Sequence, residues 1–243
     1  EFVANHTGLD NDEFVEILAG TSTDLSEYWL LEIEGDSNAA GVIDEVIQLG
    51  TTDVNGYFTT PFGSNTFENG TMALLLVKNF TGTTGQDLDT NDDGTFDVTP
   101  WESRIDDIGV NDGGATDLDY ANVTLARSFD GISFTVGGAS RYPNGQDTDT
   151  VTDWTRNDFD GSGLPSFPVV IADPGEAVNT PNRENVVIDD MVTPTADIVI
   201  NELDADTDGS DVLEFVELYD GGVGNTSLDG YILVFFNGAN NQS

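Results

Sequence analysis

Two segments of the chain carry side-chain oxygen atoms at alternating positions, with a glycine at the sixth position. The oxygen-bearing residues are Asp89, Asn91, Asp93 and Asp97 in the first segment and Asp204, Asp206, Asp208 and Asp211 in the second. This spacing is typical of calcium loops, in which alternate carboxylates converge on the ion and the glycine allows a sharp turn. Position twelve of the second segment is Phe215, not the bidentate glutamate of a complete EF-hand. We predict Ca²⁺ as the cofactor, with solvated Asp-rich turns as the alternative interpretation.

The charge balance excludes several classes of partner. The chain has 46 acidic and 6 basic residues and a formal net charge of −40, so it lacks the basic surface that neutralises nucleic-acid phosphates. The same charge opposes binding to an anionic membrane surface, and no apolar run of about 18 residues is present to span a membrane. Acidic calcium loops are filled where calcium is abundant, which favours a secreted or cell-surface location. Salt adaptation explains the acidic composition equally well.

Residues suited to catalysis are scarce. His6 is the only histidine and lies in a segment typical of a surface turn, and carboxylate pairs are too abundant in this sequence to indicate a hydrolase site. We therefore predict that the chain is not an enzyme. Trp29, Trp101 and Trp154 are interpreted as core residues, although an exposed tryptophan would favour the alternative of a carbohydrate-binding module.

Possible N-glycosylation sites are numerous. Asn-X-Ser/Thr sequons begin at Asn5, Asn69, Asn79, Asn122, Asn225 and Asn241. Loops rich in Thr and Asn generate such triplets by composition alone, so the sequons indicate candidate sites only.

The segments around these residues have the sequence pattern of β-strands. Runs of apolar and β-branched residues bounded by Gly, Asn, Asp and Pro predict strands at 13–18, 28–33, 42–49, 71–78, 105–110, 123–127, 198–203, 213–218 and 231–236. Several runs alternate, as in the run 13–17, which predicts one face in the core and one in water. Helical periodicity is missing over any useful length, so the predicted fold class is an all-β antiparallel sandwich.

The sequence contains an internal repeat. Glu1 matches Glu202 and the run 13–16 matches 214–217, both 201 positions apart, and Leu25 and Tyr28 match Leu228 and Tyr231 after two extra residues. We predict a sandwich at 1–182, a linker at 183–196 and the first strands of a second sandwich at 197–243.

An incomplete second sandwich leaves strand edges and apolar surface without cover. The first copy lacks the strand that residues 197–201 supply to the second. We therefore predict self-association by β-strand addition in a repeat array or homopolymeric filament. A segment cut from a longer polypeptide explains the same observation.

The repeated motifs resemble the lamin tail domain family, an immunoglobulin-like β-sandwich. The similar segments are Asn201-Glu202, 214–218 and 228–231 in the second copy, and 13–17, 25–28, 138–141, 153–154 and 174–177 in the first. The first copy departs from the family by an insertion around 86–101. The resemblance implies a non-catalytic part of a secreted protein, either a structural or adhesive module or an accessory targeting domain beside a nuclease or phosphatase.

Overall fold

A computed structural model describes residues 1–37, 39–188, 198–205, 214–222, 226–228 and 230–235. The chain divides into two compact units, Glu1–Asp190 and Met191–Ser243. The first unit contains the strands Phe2–Val3 (β1), Phe14–Leu18 (β2), Tyr28–Glu34 (β3), Ile43–Gln48 (β4), Tyr57–Thr59 (β5), Met72–Lys78 (β6), Ser103–Asn111 (β7), Thr124–Ala126 (β8), Gly138–Arg141 (β9), Trp154–Arg156 (β10), Ala177–Val178 (β11) and Val186–Val187 (β12). The described residues of the second unit contain Val199–Asp204 (β13) and Phe215–Tyr219 (β14). In the first unit, a 3₁₀ turn lies at Val151–Asp153.

The first unit is built from two five-stranded sheets, in the orders β10-β9-β1-β2-β5 and β4-β3-β6-β7-β8. One apolar cluster contains residues of both sheets, including Phe2 and Val15 from the first and Leu30, Leu74 and Ile108 from the second. This arrangement is consistent with a β-sandwich and confirms the predicted all-β class. No helix in the described part of the chain is long and apolar enough to cross a membrane.

The second sheet is buried on both faces. Its central strand β6 reads Met-Ala-Leu-Leu-Leu-Val-Lys, a continuous apolar run typical of a strand without a water-facing side. Leu74 faces the cluster between the sheets, whereas Leu75 belongs to an outer cluster. Leu88, which is fully buried, and Trp101 contribute to that outer cluster. The predicted insertion at 86–101 therefore covers the sheet.

The prediction that one side of β2 faces water is wrong. Phe14 and Glu16, which lie on that side, are both buried. Phe14 packs with Val3 and Leu164, and the Glu16 carboxylate accepts the Thr59 hydroxyl at 3.0 Å and the Asn182 N–H. Glu13 is buried as well. The backbone N–H groups of residues 66 and 67 donate to the Glu13 carboxylate. The alternation of residue types along 13–17 correctly predicted a β-strand. It could not show that a loop later in the chain covers the side of the strand that was expected to face water.

The second unit reproduces the strand pairing of the first. Phe2 pairs with Val15 in the first unit, and Leu203 pairs with Val216 in the second, 201 positions later for both partners. The turn that follows also recurs, because the Tyr28 N–H donates to the Leu25 carbonyl at 2.9 Å and the Tyr231 N–H donates to the Leu228 carbonyl at 3.0 Å. Residues 231–235, which the sequence predicts as part of a strand, form none.

Candidate metal centres

Three groups of three carboxylates can each hold a metal ion. In each group, one oxygen from every member lies within 4.8 Å of the others. The groups are Glu34, Asp44 and Glu68 (triad A), Asp36, Asp112 and Asp117 (triad B), and Asp158, Asp173 and Glu176 (triad C). None of the ion pairs found among the described residues involves a triad member. The triads are therefore concentrations of negative charge without a paired Lys or Arg.

Triad A is assembled from three elements at the end of β3. Glu34 is the last residue of that strand, and Glu68 lies four residues before β6. Asp44 is displaced by a β-bulge, because Glu32 pairs with Glu45 while Ile33 pairs with Ile43. A bulge redirects the side chain of its extra residue, which explains how an exposed Asp44 reaches the buried Glu34.

Triad B lies beyond the ends of β3 and β7 and surrounds Thr71. The Thr71 hydroxyl donates to Asp117 at 2.7 Å and accepts the backbone N–H of Asp112 at 3.1 Å. The Thr71 N–H points to Asp36, 3.4 Å from its carboxylate oxygen. A Cβ atom at Gly35 would lie 2.6 Å from the Thr71 side chain, so glycine is needed where the chain leaves β3.

Burial and mutual repulsion raise the pKa values of carboxylates at triads A and B. Burial is the largest cause of the raised pKa of Glu34, and the carboxylates of Glu68 and Asp36 raise it further. Burial also raises the pKa of Asp36, as do the triad partners Asp117 and Asp112. A divalent cation between these oxygens would replace the repulsion with attraction.

Glu32 adds a fourth carboxylate beside triad A. It is only 1% exposed, and one of its oxygens accepts the Glu68 N–H at 2.5 Å. Burial raises the pKa of Glu32 to about 8, and the charges of Asp44, Glu68 and Glu34 contribute in the same direction.

Triad C lies in the loops that follow β10. Asp158 is buried and accepts the Ser162 N–H at 2.7 Å. Burial raises the pKa of Glu176 to about 7, and the carboxylates of Asp158 and Asp173 raise it further. The Arg156 charge acts in the opposite direction on the pKa of Glu176, but its guanidinium is paired with Asp130, at 2.6 Å from Nε to the carboxylate oxygen.

The first predicted calcium loop is organised by its own hydrogen bonds. Asp89 is fully buried and accepts the Asp93 N–H at 3.2 Å, the Gly94 N–H at 2.8 Å and the Tyr120 hydroxyl at 2.9 Å. Asn91 accepts the same Asp93 N–H at 3.0 Å. These bonds fix a turn but leave the loop outside the three carboxylate groups found in the described residues. Calcium binding by this loop stays a prediction.

Asp97 closes the first predicted calcium loop. Most of the second predicted calcium loop lies outside the residues that the structure describes. One Asp97 oxygen accepts the N–H and the hydroxyl of Thr90, at 3.0 and 2.6 Å. Asp204 ends β13, while Asp206, Asp208 and Asp211 lie outside the described residues.

Four of the predicted sequons lie in the described residues. Asn69, Asn79 and Asn122 are exposed, and Asn5 is half-buried beside the buried His6. The other two sequons, at Asn225 and Asn241, begin outside the described residues. Glycosylation at all six sequons stays a prediction.

His6 is not the surface-turn residue that the sequence suggests. It is 2% exposed, its Nε2 accepts the Asp12 N–H at 3.2 Å, and its Nδ1 lies 3.0 Å from the Thr7 carbonyl. Its ring packs edge-on against Phe167, with 5.2 Å between the ring centres. Contacts that engage both ring nitrogens indicate a structural histidine.

No protein-family model, curated protein or solved structure matches the chain. The similarity to lamin tail domains therefore rests on the short sequence motifs alone.

Proposed function

We propose that this chain is a non-catalytic, extracellular structural or adhesive module of lamin-tail-like fold that is stabilised by Ca²⁺. The observation that carries the proposal is the set of three carboxylate triads, which have no ion pair to Lys or Arg among the described residues. Hard divalent cations prefer such oxygen ligands. Ca²⁺ is favoured over Mg²⁺ because ligands from separate strands and loops suit its larger and less regular coordination shell.

The proposed structural role is supported by the second unit. Leu203 is 61% exposed, whereas its repeat equivalent in the first sandwich, Phe2, is only 1% exposed. Ile200 and Phe235 are also exposed, at 61% and 63%. These exposed apolar side chains are available for contact with a partner. Strand addition between copies in an array or filament would cover them.

The absence of catalysis is also part of the proposal. It is supported by the engagement of His6 in backbone contacts and by the burial of Trp154. An accessory targeting domain of a secreted nuclease or phosphatase would share these features but would not need to assemble with itself.

Calorimetric titration of the metal-free chain with Ca²⁺ and with Mg²⁺ tests the cation proposal. Glu68→Gln in triad A and Asp117→Asn in triad B should each weaken Ca²⁺ binding about tenfold or more, since each removes a charged ligand. Asp93→Asn reports on the sequence-predicted loop, and Glu184→Gln, an exposed residue outside all three triads, is the matched control. Absence of Ca²⁺ binding, or equal loss in the Glu184 variant, would contradict the proposal.

A further inference from the structure

Residues 62–69 form a strap that crosses from β5 in the first sheet to β6 in the second. Phe62, at the start of the strap, packs edge-on against Phe14 of β2, with 5.5 Å between the ring centres. Phe67 is only 6% exposed and belongs to the apolar cluster that contains residues of both sheets. The strap therefore covers part of the core between the sheets.

The segment before β2 holds the strap through several polar contacts. The Asn65 N–H donates to the Asp10 carbonyl at 3.1 Å, and the Asn69 side-chain amide donates to the Asp10 carboxylate at 3.2 Å. The Ser64 hydroxyl donates to the Asn11 side chain at 2.9 Å. Both side-chain contacts are exposed, so water can replace them at little net cost.

A buried carboxylate makes the central contact with the strap. Glu13 is 0% exposed, and its Oε2 accepts the Phe67 N–H at 3.2 Å and the Thr66 N–H. The other oxygen, Oε1, is buried and has no hydrogen-bond partner among the described residues. None of the ion pairs found in that part of the chain involves Glu13. Ionisation of Glu13 therefore puts a charge in the interior without a paired cation, which is costly.

The surroundings of Glu13 favour its neutral form while the strap is closed. Burial is the largest cause of the raised pKa of Glu13, and the charge of Asp10 raises it further. The two N–H donors and the charge of His6 act in the opposite direction but do not outweigh burial. From the second sheet, a Glu32 oxygen accepts the Glu68 N–H of the same strap at 2.5 Å, so the second sheet also meets the strap with an acidic side chain.

We propose that Glu13 is a proton-operated latch for the strap, in which the neutral carboxyl keeps the strap closed and ionisation loosens it. A proton on Oε1 leaves Oε2 free to accept both N–H groups, so the closed state keeps its contacts. Ionisation leaves a buried charge that an open strap exposes to water. The closed strap is therefore most stable below the ordinary glutamate pKa of 4.5, and this stability is lost as pH rises through the raised pKa of Glu13.

Hydrogen exchange of the Thr66 and Phe67 amides, measured by NMR in chelator between about pH 5 and pH 8, tests the latch. After correction for the intrinsic exchange rate, the open population should rise with pH. The rise should approach tenfold for each pH unit that separates the pKa of Glu13 in the closed and open states. Glu13→Gln keeps an oxygen acceptor and is always neutral, so it should flatten this rise. The exposed control Glu184→Gln should behave as the wild type.

Titration of Glu13 itself tests the latch in the wild-type chain. With ¹³C-labelled glutamate, the carboxyl signal of Glu13 should titrate above 4.5. Asp10→Asn should move this titration to lower pH, because it removes a like charge. A Glu13 signal that titrates at or below 4.5, exchange that does not accelerate with pH beyond the intrinsic rate, or an unchanged rise in the Glu13→Gln chain would each overturn the proposal. Chelator keeps the result independent of Ca²⁺ binding.

Discussion

Glu32→Gln should stabilise the metal-free chain at neutral pH. The Glu32 carboxyl is 1% exposed, and burial raises its pKa from 4.5 to about 8. The folded state therefore holds a proton on Glu32 at pH values where the unfolded state has released it. Glutamine keeps the oxygen that accepts the Glu68 N–H, and its new amide can donate to the nearby carboxylates.

The magnitude follows from proton linkage. Stability from a raised carboxyl pKa is complete below the unfolded value and is lost as pH rises toward the folded value. At pH 7 the pH exceeds the unfolded pKa by about 2.5 units, and each unit corresponds to about 1.4 kcal/mol. Glu32→Gln should therefore raise the free energy of unfolding by up to roughly 3 kcal/mol at pH 7, and by less than about 1 kcal/mol at pH 5.

Urea unfolding followed by tryptophan fluorescence measures this difference. All three tryptophans lie in the first unit, so the signal reports that unit alone. Glu184→Gln provides the same change of charge on an exposed side chain and should have little effect. A Glu32→Gln chain that is no more stable than the wild type at pH 7 in chelator would refute the reasoning.

Three further predictions concern the same unit. Without cations, its stability in urea should fall from pH 5 to pH 8, because burial also raises the pKa values of Glu16 and Glu176 to about 7; a rise over this range would contradict it. Tyr120→Phe should lower the free energy of unfolding by about 1–2 kcal/mol by removing a donor from the buried Asp89, and an unchanged value would show that this bond does not hold the loop. Leu31→Ala, at a side chain with no exposure, should cost about 2–5 kcal/mol in the same assay, and a loss below about 1 kcal/mol would show that the outer cluster is loosely packed.

The sequence predicts the long strands well and the short ones poorly. Residues 28–33 and 71–78 carry enough apolar and β-branched side chains to specify β3 and β6 on their own. The two-residue strand β1 and the three-residue β5 are defined by their partners in the sheet, and such partners are distant in sequence. Burial of Glu16 on the side of β2 expected to meet water has the same origin, because its partner Asn182 lies far along the chain.

The carboxylate triads could be predicted only in part. Glu34 and Asp36 follow Glu32 at intervals of two, which signals acidic side chains on one side of β3. Asp112 and Asp117 reach the same region through strand pairing far along the chain. By contrast, the motif beginning at Asp89 is local, and in the structure its oxygens mainly accept backbone N–H groups and hydroxyls.

Thermal melting of the first unit, followed by tryptophan fluorescence with millimolar Ca²⁺ and then with excess chelator at constant ionic strength, tests the central claim most directly. At about 100 times the dissociation constant, one bound ion adds about 2.7 kcal/mol, equivalent to a rise of roughly 5–10 °C in Tm for a unit of this size. The account predicts that chelation lowers Tm by this amount and that Ca²⁺ restores it. An identical Tm in both conditions would contradict calcium stabilisation.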